Sequence, residues 1–438
     1  MLIYTIPQMK TYLYTFLSSL GLCYLAFSYD PYIETKIDAD KVKELASITQ
    51  PVRTINPADT NYQDLLFLKE KLKNVDMVML GEQQHGDGST FLAKSRLVKF
   101  LHEELDFDVL FFESNVYDCF RFWEDISGEK KNKSTDFGQA LFGHWANATE
   151  MKDLQKYMVR NAKSSNPLSL AGFDILFSGN MSYWKRIQFM ETYLTKKNIL
   201  FNKDYPAFLK ILDDYHYNTY SYPSKQIPAT EKQAVFNEIE RLITVLAKDQ
   251  QTNEDKIFSR YLSGIQAELN YRWLYPDDEE KQLIVRDSMM AQNVIWLKDH
   301  VYKNKKIILW AANSHILHNT QHLKDSPFYY KRMGTYLQDK YGRSCYSINF
   351  TSYSGQTHNI VTGESNSINE SISNSVESML HEIGNPFAWI DCRSIPENSF
   401  LNEKITMKFL GHGNHTEQWS KMMDAAFFID QMKPITFN

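Results

Sequence analysis

The sequence is poor in the residues that build disulfide frameworks and metal knots. Its four cysteines, Cys23, Cys119, Cys345 and Cys392, lie far apart and form no Cys-x-x-Cys pair. That excludes a zinc ribbon or a dense disulfide scaffold. Cys345 and Cys392 could pair in an exported chain, or sit as separate buried thiols. Basic tracts are also missing: 48 Lys and Arg against 53 Asp and Glu give a net charge of −5, with the signs interspersed. Nucleic-acid partners are set aside on that ground. No Gly-x-Ser-x-Gly elbow and no His-Glu-x-x-His occurs, so neither a serine nucleophile nor a zincin site is signalled. No internal repeat is visible.

What is present is apolar. The 438 residues are 43% hydrophobic and 14% aromatic, enough for one α/β body and a second, helical part. Thr11 to Phe27 is apolar and uncharged, preceded by Lys10; Ala26-Phe27-Ser28 offers small residues at the right separation for cleavage, and a polar Asp30-Pro31 follows. Residues 1–28 therefore read as an export signal, which places the chain in the periplasm or cell envelope. An uncleaved membrane anchor is the alternative. Leu22 before Cys23 is too bulky for a lipobox, which disfavours lipidation. Residues 29–60, with three prolines, read as a polar leader.

The central stretch is Val78-Met79-Leu80-Gly81-Glu82-Gln83-Gln84-His85-Gly86-Asp87-Gly88. An apolar strand from Val75 to Leu80 turns through glycines into a helix over 91–105, which Ser89 or Thr90 can cap. Further strands are expected over 107–112, 168–173, 306–310, 345–350, 387–390 and 405–410. A surface loop is expected over 124–136, a helix over 140–158 and a long loop over 352–375. From 179 to 302 the period is helical, with Thr230 and Gln233 as a capping box. The α/β body would then occupy 61–178 and 303–438, interrupted by a helical insertion over 179–302. The fold expected is α/β: a central, mostly parallel sheet flanked by helices. Four of its strands end in ionisable residues: Glu82 with His85, Glu113, Asp174 and His315. In a parallel sheet these ends line one edge, where open α/β sheets place ligands.

With those residues in hand, the chain resembles the erythromycin esterase family. Gly81-Glu82-Gln83-Gln84-His85-Gly86 matches its Gly-Glu-x-x-His-Gly, and Lys94 its basic residue one turn into the next helix. Phe111-Phe112-Glu113, Trp145 with Glu150, and Gly172-Phe173-Asp174 follow. Arg286 with Met290-Ala291-Gln292-Asn293, and Trp310-Ala311-Ala312-Asn313-Ser314-His315, complete the series. Gln84 stands where the family usually has Thr. The resemblance implies ester hydrolysis, with macrolide lactones as the known substrates of its resistance enzymes, and His85 as the base.

Opening a lactone with water needs a base, an orienter for that base, and donors near the carbonyl oxygen. His85 is expected to be the base, oriented by Glu82 or Glu113, and His315 to polarise the carbonyl or position water. Lys94, Arg286, Asp174 and Asn313 are expected to bind substrate. No cofactor and no metal are expected, and the partner is a small-molecule ester. Three alternatives stand. His85, Glu113 and His315 could form a two-His, one-carboxylate metal site, with His412 and His415 as a further pair. The chain could bind an envelope glycan or lipid without turnover. It could act on polysaccharide through paired carboxylates.

Overall fold

The computed structural model describes residues 36–128, 134–200, 202, 204–218, 227–248, 252–320 and 330–437. The expected export segment, 1–28, lies outside them. The chain builds β1 (Thr49–Pro51), β2 (Met77–Leu80), β3 (Val109–Asn115), β4 (Ser169–Asp174), β5 (Ile307–Trp310) and β6 (Cys345–His358), then β7 (Ser365–Ile368), β8 (Phe387–Asp391), β9 (Ile405–Leu410), β10 (Gly413–Glu417) and β11 (Ala425–Met432). The helices are α1 (Ala39–Ile48), α2 (Phe67–Lys71), α3 (Gly88–Leu105), α4 (Val116–Ser127), α5 (Gly143–Asn147), α6 (Lys152–Asn161) and α7 (Asn180–Lys196), then α8 (Tyr205–Asn218), α9 (Ala229–Ala247), α10 (Asn253–Leu274), α11 (Glu279–His300), α12 (Asn313–Ile316), α13 (Met333–Tyr341) and α14 (Val376–Ile383).

One sheet dominates, in the order β1-β8-β11-β6-β2-β5-β3-β4, with β7 paired to β6. From β11 to β4 every neighbouring pair is parallel; β1, β7 and β8 pair antiparallel. The expected α/β architecture is what forms. Its cause is legible in β2, β3 and β5, which are apolar and buried on both faces, as parallel strands between helical layers must be. Alternate residues feed opposite layers. Val78, Leu80, Leu110, Phe112, Ile308 and Trp310 enter one core, under α3 and α6. Met77, Met79, Val109, Phe111, Ile307 and Leu309 enter the other, under α7–α11, the five helices between β4 and β5. A third core packs α1 and α14 against β8, β9 and β11.

Register sets the functional edge. Leu80 is level with Trp310, Trp310 with Phe112, and Phe112 with Gly172. The residues just beyond these positions, Glu82, Asn313, Glu113 and Asp174, therefore leave the sheet at one rim.

Several local expectations need correction. The polar leader is folded from residue 36 on: α1 buries Leu45 and β1 pairs with β8. The stretch 124–136 begins as helix, because α4 continues to Ser127 on its buried face. The helix expected over 140–158 is two, α5 and α6, separated by Ala148 in extended geometry, which bridges to Phe437. The loop expected over 352–375 contains the second half of β6 and all of β7; edge pairing outweighs a Ser- and Asn-rich composition. Thr230 caps nothing, since α9 starts at Ala229 after Pro228; the capping box is Thr252 with Asp255 on α10. Neither Ser89 nor Thr90 caps α3. Asp87 occupies that position, and Ser89 Oγ accepts from the Lys433 N–H instead. Cys345 and Cys392 are separate free thiols.

Candidate active site

Glu82 and His85 sit in the tight turn between β2 and α3. Two neighbours dictate its glycines. A Cβ on Gly86 would lie 1.8 Å from the His358 carbonyl oxygen, and one on Gly81 2.0 Å from Asn313 Oδ1. The Gly86 carbonyl accepts from the His358 and Ile435 N–H groups, so β6 and the C-terminal tail clamp the loop from both sides.

His85 Nδ1 lies 2.6 Å from Glu82 Oε1. A carboxylate only accepts, so Nδ1 carries the proton and the lone pair is left on Nε2. No hydrogen bond among the described residues uses that Nε2. The other Glu82 oxygen accepts from Lys94 Nζ at 2.8 Å. Both Lys94 and Glu82 are fully buried. Lys94 also donates to the Ala311 carbonyl at 3.3 Å and lies 4.1 Å from the Trp310 ring centre. Burial lowers its pKa to about 8, against the pull of Glu82.

A second cluster forms where β3, β4 and α12 end. Arg286 reaches down from α11 and grips Asp174 with two nitrogens, at 2.6 and 3.2 Å. Its Nη2 also donates to Glu113 Oε1 at 2.8 Å. The other Glu113 oxygen accepts from the Ala312 N–H at 3.0 Å. Asp174 further accepts from the Ile175 and Leu176 N–H groups, which fixes the turn after β4. His315 stands between two carboxylates, with Nδ1 2.9 Å from Asp287 Oδ1 and Nε2 3.3 Å from Glu113 Oε1. Burial would lower the His315 pKa, but Asp287 and Glu113 outweigh it and raise it to about 9. His315 is therefore a cation at neutral pH, although Arg286 Nη1 lies only 3.4 Å away. Burial likewise disfavours ionised Glu113, yet His315, Arg286 and His85 together hold its pKa well below the usual carboxylate range. The two clusters meet at the end of β5, where Lys94 donates to the Ala311 carbonyl and Glu113 accepts from the Ala312 N–H.

Of the eight residues expected here, seven belong to these clusters. Asn313 does not. Its Nδ2 donates to the Phe350 and Phe409 carbonyls and its Oδ1 accepts from the Phe350 N–H. Its carboxamide thus ties α12 to β6 and β9, with no donor left for a substrate. Glu150 is also elsewhere, holding Thr436 in the C-terminal tail. The His412–His415 pair does not share a ligand position: His412 Nε2 binds Asp87 Oδ1 at 3.0 Å. Among the described residues no three His, Cys, Asp or Glu side chains are grouped as metal ligands.

Two residues escaped sequence reasoning. Asp287 is one, the partner of His315. His144 is the other; its ring stacks on His85 with centres 4.9 Å apart, while Trp145 meets His85 edge-on at 5.1 Å. Burial, with His85 beside it, keeps the pKa of His144 well below 6.5, and its Nε2 is buried without a hydrogen-bond partner among the described residues. Each follows or precedes a residue that the motifs did name, Arg286 and Trp145, and that adjacency was the available signal.

The profile of the erythromycin esterase family matches residues 102–432, well over half the chain. The match starts beyond the Gly81–Gly86 turn. YbfO of Bacillus subtilis (strain 168), whose name assigns it provisionally to the hydrolases, is 26% identical over 415 residues, 88% of this chain and 90% of that one. Erythromycin esterase type II of Escherichia coli is 24% identical over 324 residues, 69% of this chain and 75% of that one. A mutant erythromycin esterase solved in its open conformation shares the fold, with a TM-score of 0.67 at 15% identity over 88% of this chain and 98% of that one.

Proposed function

The chain belongs to the erythromycin esterase family, and on that premise we propose that it hydrolyses a carboxylic ester of the macrolide-lactone type with water activated by His85. The family supports hydrolase activity as such; the ester, the lactone and the residue roles are our reading. One observation carries it. His85 is held by Glu82 through Nδ1 at 2.6 Å, which leaves Nε2 free, at the sheet rim where Arg286 and His315 also lie, 3.4 Å from each other.

In this reading His85 Nε2 takes a proton from water as the water oxygen attacks the carbonyl carbon. Glu82 keeps the imidazole in the right tautomer and offsets the charge it gains, as the acid of a triad does. Lys94 holds the second Glu82 oxygen and so fixes the dyad. The carbonyl oxygen becomes an anion as the new C–O bond forms. The His315 imidazolium and the Arg286 N–H groups supply the preorganised positive charge that stabilises it. His85 then returns its proton to the leaving alkoxide as the ester C–O bond breaks, and the product is a hydroxy acid heavier by one water. Glu113 and Asp174 hold Arg286 and are positioning residues. The stacked, neutral His144 restricts the plane of the His85 ring.

Purified protein incubated with a panel of macrolides and simple esters is expected to add one water to a member of the panel, measured by mass spectrometry. Ligand binding with no mass change across the panel contradicts the proposal. Export through residues 1–28 belongs to the same proposal, and the N-terminal sequence of the mature protein tests it.

A further inference from the structure

In the helical layer, a groove of about 490 Å³ opens to solvent between α9, α10 and α11. Arg260 lies in its wall. Two buried arginines elsewhere in the chain hold carboxylates: Arg96 pairs with Asp64, and Arg286 with Asp174 and Glu113. Arg260 has none among the described residues. Its Nε donates to Asn293 Oδ1 at 2.5 Å, and its Nη2 is buried with no partner. Asn293 is itself fixed, because its Nδ2 donates to the Phe173 carbonyl at 2.8 Å. The guanidinium is thus fixed and partly desolvated, and burial lowers its pKa to about 10. A half-buried cation with an unpartnered N–H group costs free energy that an anion in the groove would offset.

The rest of the lining narrows the chemistry. Gln233, Gln266 and Gln292 present carboxamides, which both donate and accept, and Phe236 supplies an apolar face. The one acid, Glu240, is at the exposed mouth, where it accepts from Gln266 at 3.3 Å. Each amide nitrogen donates once within the protein, Gln233 to Asn237, Gln266 to Glu240 and Gln292 to Ser288, and keeps a second N–H and its carbonyl oxygen, which a bare anion would not use in full; such an anion would also meet Glu240 unfavourably. A hydroxyl-rich body with one carboxylate uses them all.

We infer that this groove binds an acidic sugar of the uronate type. The sugar carboxylate takes the free N–H groups of Arg260, its hydroxyls exchange hydrogen bonds with the carboxamides and Glu240, and the apolar face of the ring lies on Phe236. The volume fits a monosaccharide with some of its water. The inference is independent of the ester reading.

Calorimetric titration of the full chain with glucuronate, glucose and inorganic phosphate tests it. Glucuronate is expected to bind saturably to the wild type, and at least tenfold more tightly than either glucose or phosphate. Arg260→Gln is expected to weaken glucuronate at least tenfold. Gln292→Trp, at the exposed mouth, leaves the guanidinium in place and blocks the groove. It is expected to lose binding at an unchanged melting temperature, so a folding defect in the first variant does not decide the matter. His85→Asn is expected to bind glucuronate as the wild type does. No saturable glucuronate binding, equal binding of glucose or phosphate, wild-type affinity in both groove variants, or loss of binding in His85→Asn would each overturn the inference.

Discussion

Replacing Asp287 by Asn should remove much of the pH dependence of stability that His315 creates. His315 Nδ1 lies 2.9 Å from Asp287 and its Nε2 3.3 Å from Glu113, and the pair raises its pKa from 6.5 to about 9 despite burial. The folded value lies above the unfolded one, so the stabilisation is complete below pH 6.5 and is lost as the pH climbs through 9. At about 1.4 kcal/mol per pH unit, the whole effect is about 3 kcal/mol. Asp287 is the larger of the two upward pulls and burial opposes both, so its neutral isostere should remove more than half of the net effect, on the order of 2–3 kcal/mol. The Asn oxygen can still accept from the Met333 N–H, as Asp287 Oδ1 does at 3.0 Å, which limits damage to the backbone. Urea denaturation of both proteins at pH 6.5 and pH 9 measures this. Asp118 and Lys94 titrate in the same window in both proteins, so comparing the two pH differences isolates His315. An identical loss of stability between the two pH values in wild type and variant would refute the argument.

Three further outcomes follow from the same geometry. Lys94→Met leaves the buried Glu82 with His85 as its remaining partner, and should lower the unfolding free energy by about 3–5 kcal/mol; an unchanged urea midpoint contradicts it. Burial pulls Asp118 up from 3.8 to about 8, so its ionisation destabilises the fold progressively between those pH values. Asp118→Asn cannot ionise and should gain melting temperature relative to the wild type between pH 5 and pH 9; a constant offset would sink this reading. Exhaustive dialysis against EDTA should leave ester turnover intact, whereas inactivation reversed by zinc would make His85, Glu113 and His315 metal ligands.

The sheet was legible where physics leaves one choice. Apolar runs ending in an acid, such as Val109 to Glu113, have nowhere to go but a buried strand with a polar terminus. β11 was missed although it sits inside the sheet between β6 and β8, because Asp430 and Gln431 interrupt the apolar run of Ala425–Met432 and no motif flanks it. The short edge strands β1 and β7 depend on long-range pairing that no local pattern announces. In the site, strand ends identified the acids, but not which ones touch. Consecutive helical side chains point about 100° apart, so Arg286 and Asp287 do not read as one functional pair. Both nonetheless reach His315, from its two ring nitrogens. Asn313 was misassigned for the converse reason: its motif gives its position, and only the fold shows that three backbone groups use up its carboxamide.

The central claim is that His85, oriented by Glu82, removes the proton from water. It is tested most directly by kcat/KM of His85→Asn on an ester that the wild type hydrolyses, alongside melting curves for both proteins. The account predicts a fall of about 10²- to 10⁴-fold, the usual contribution of a general base, at an unchanged melting temperature. A folded variant within tenfold of the wild type would contradict it.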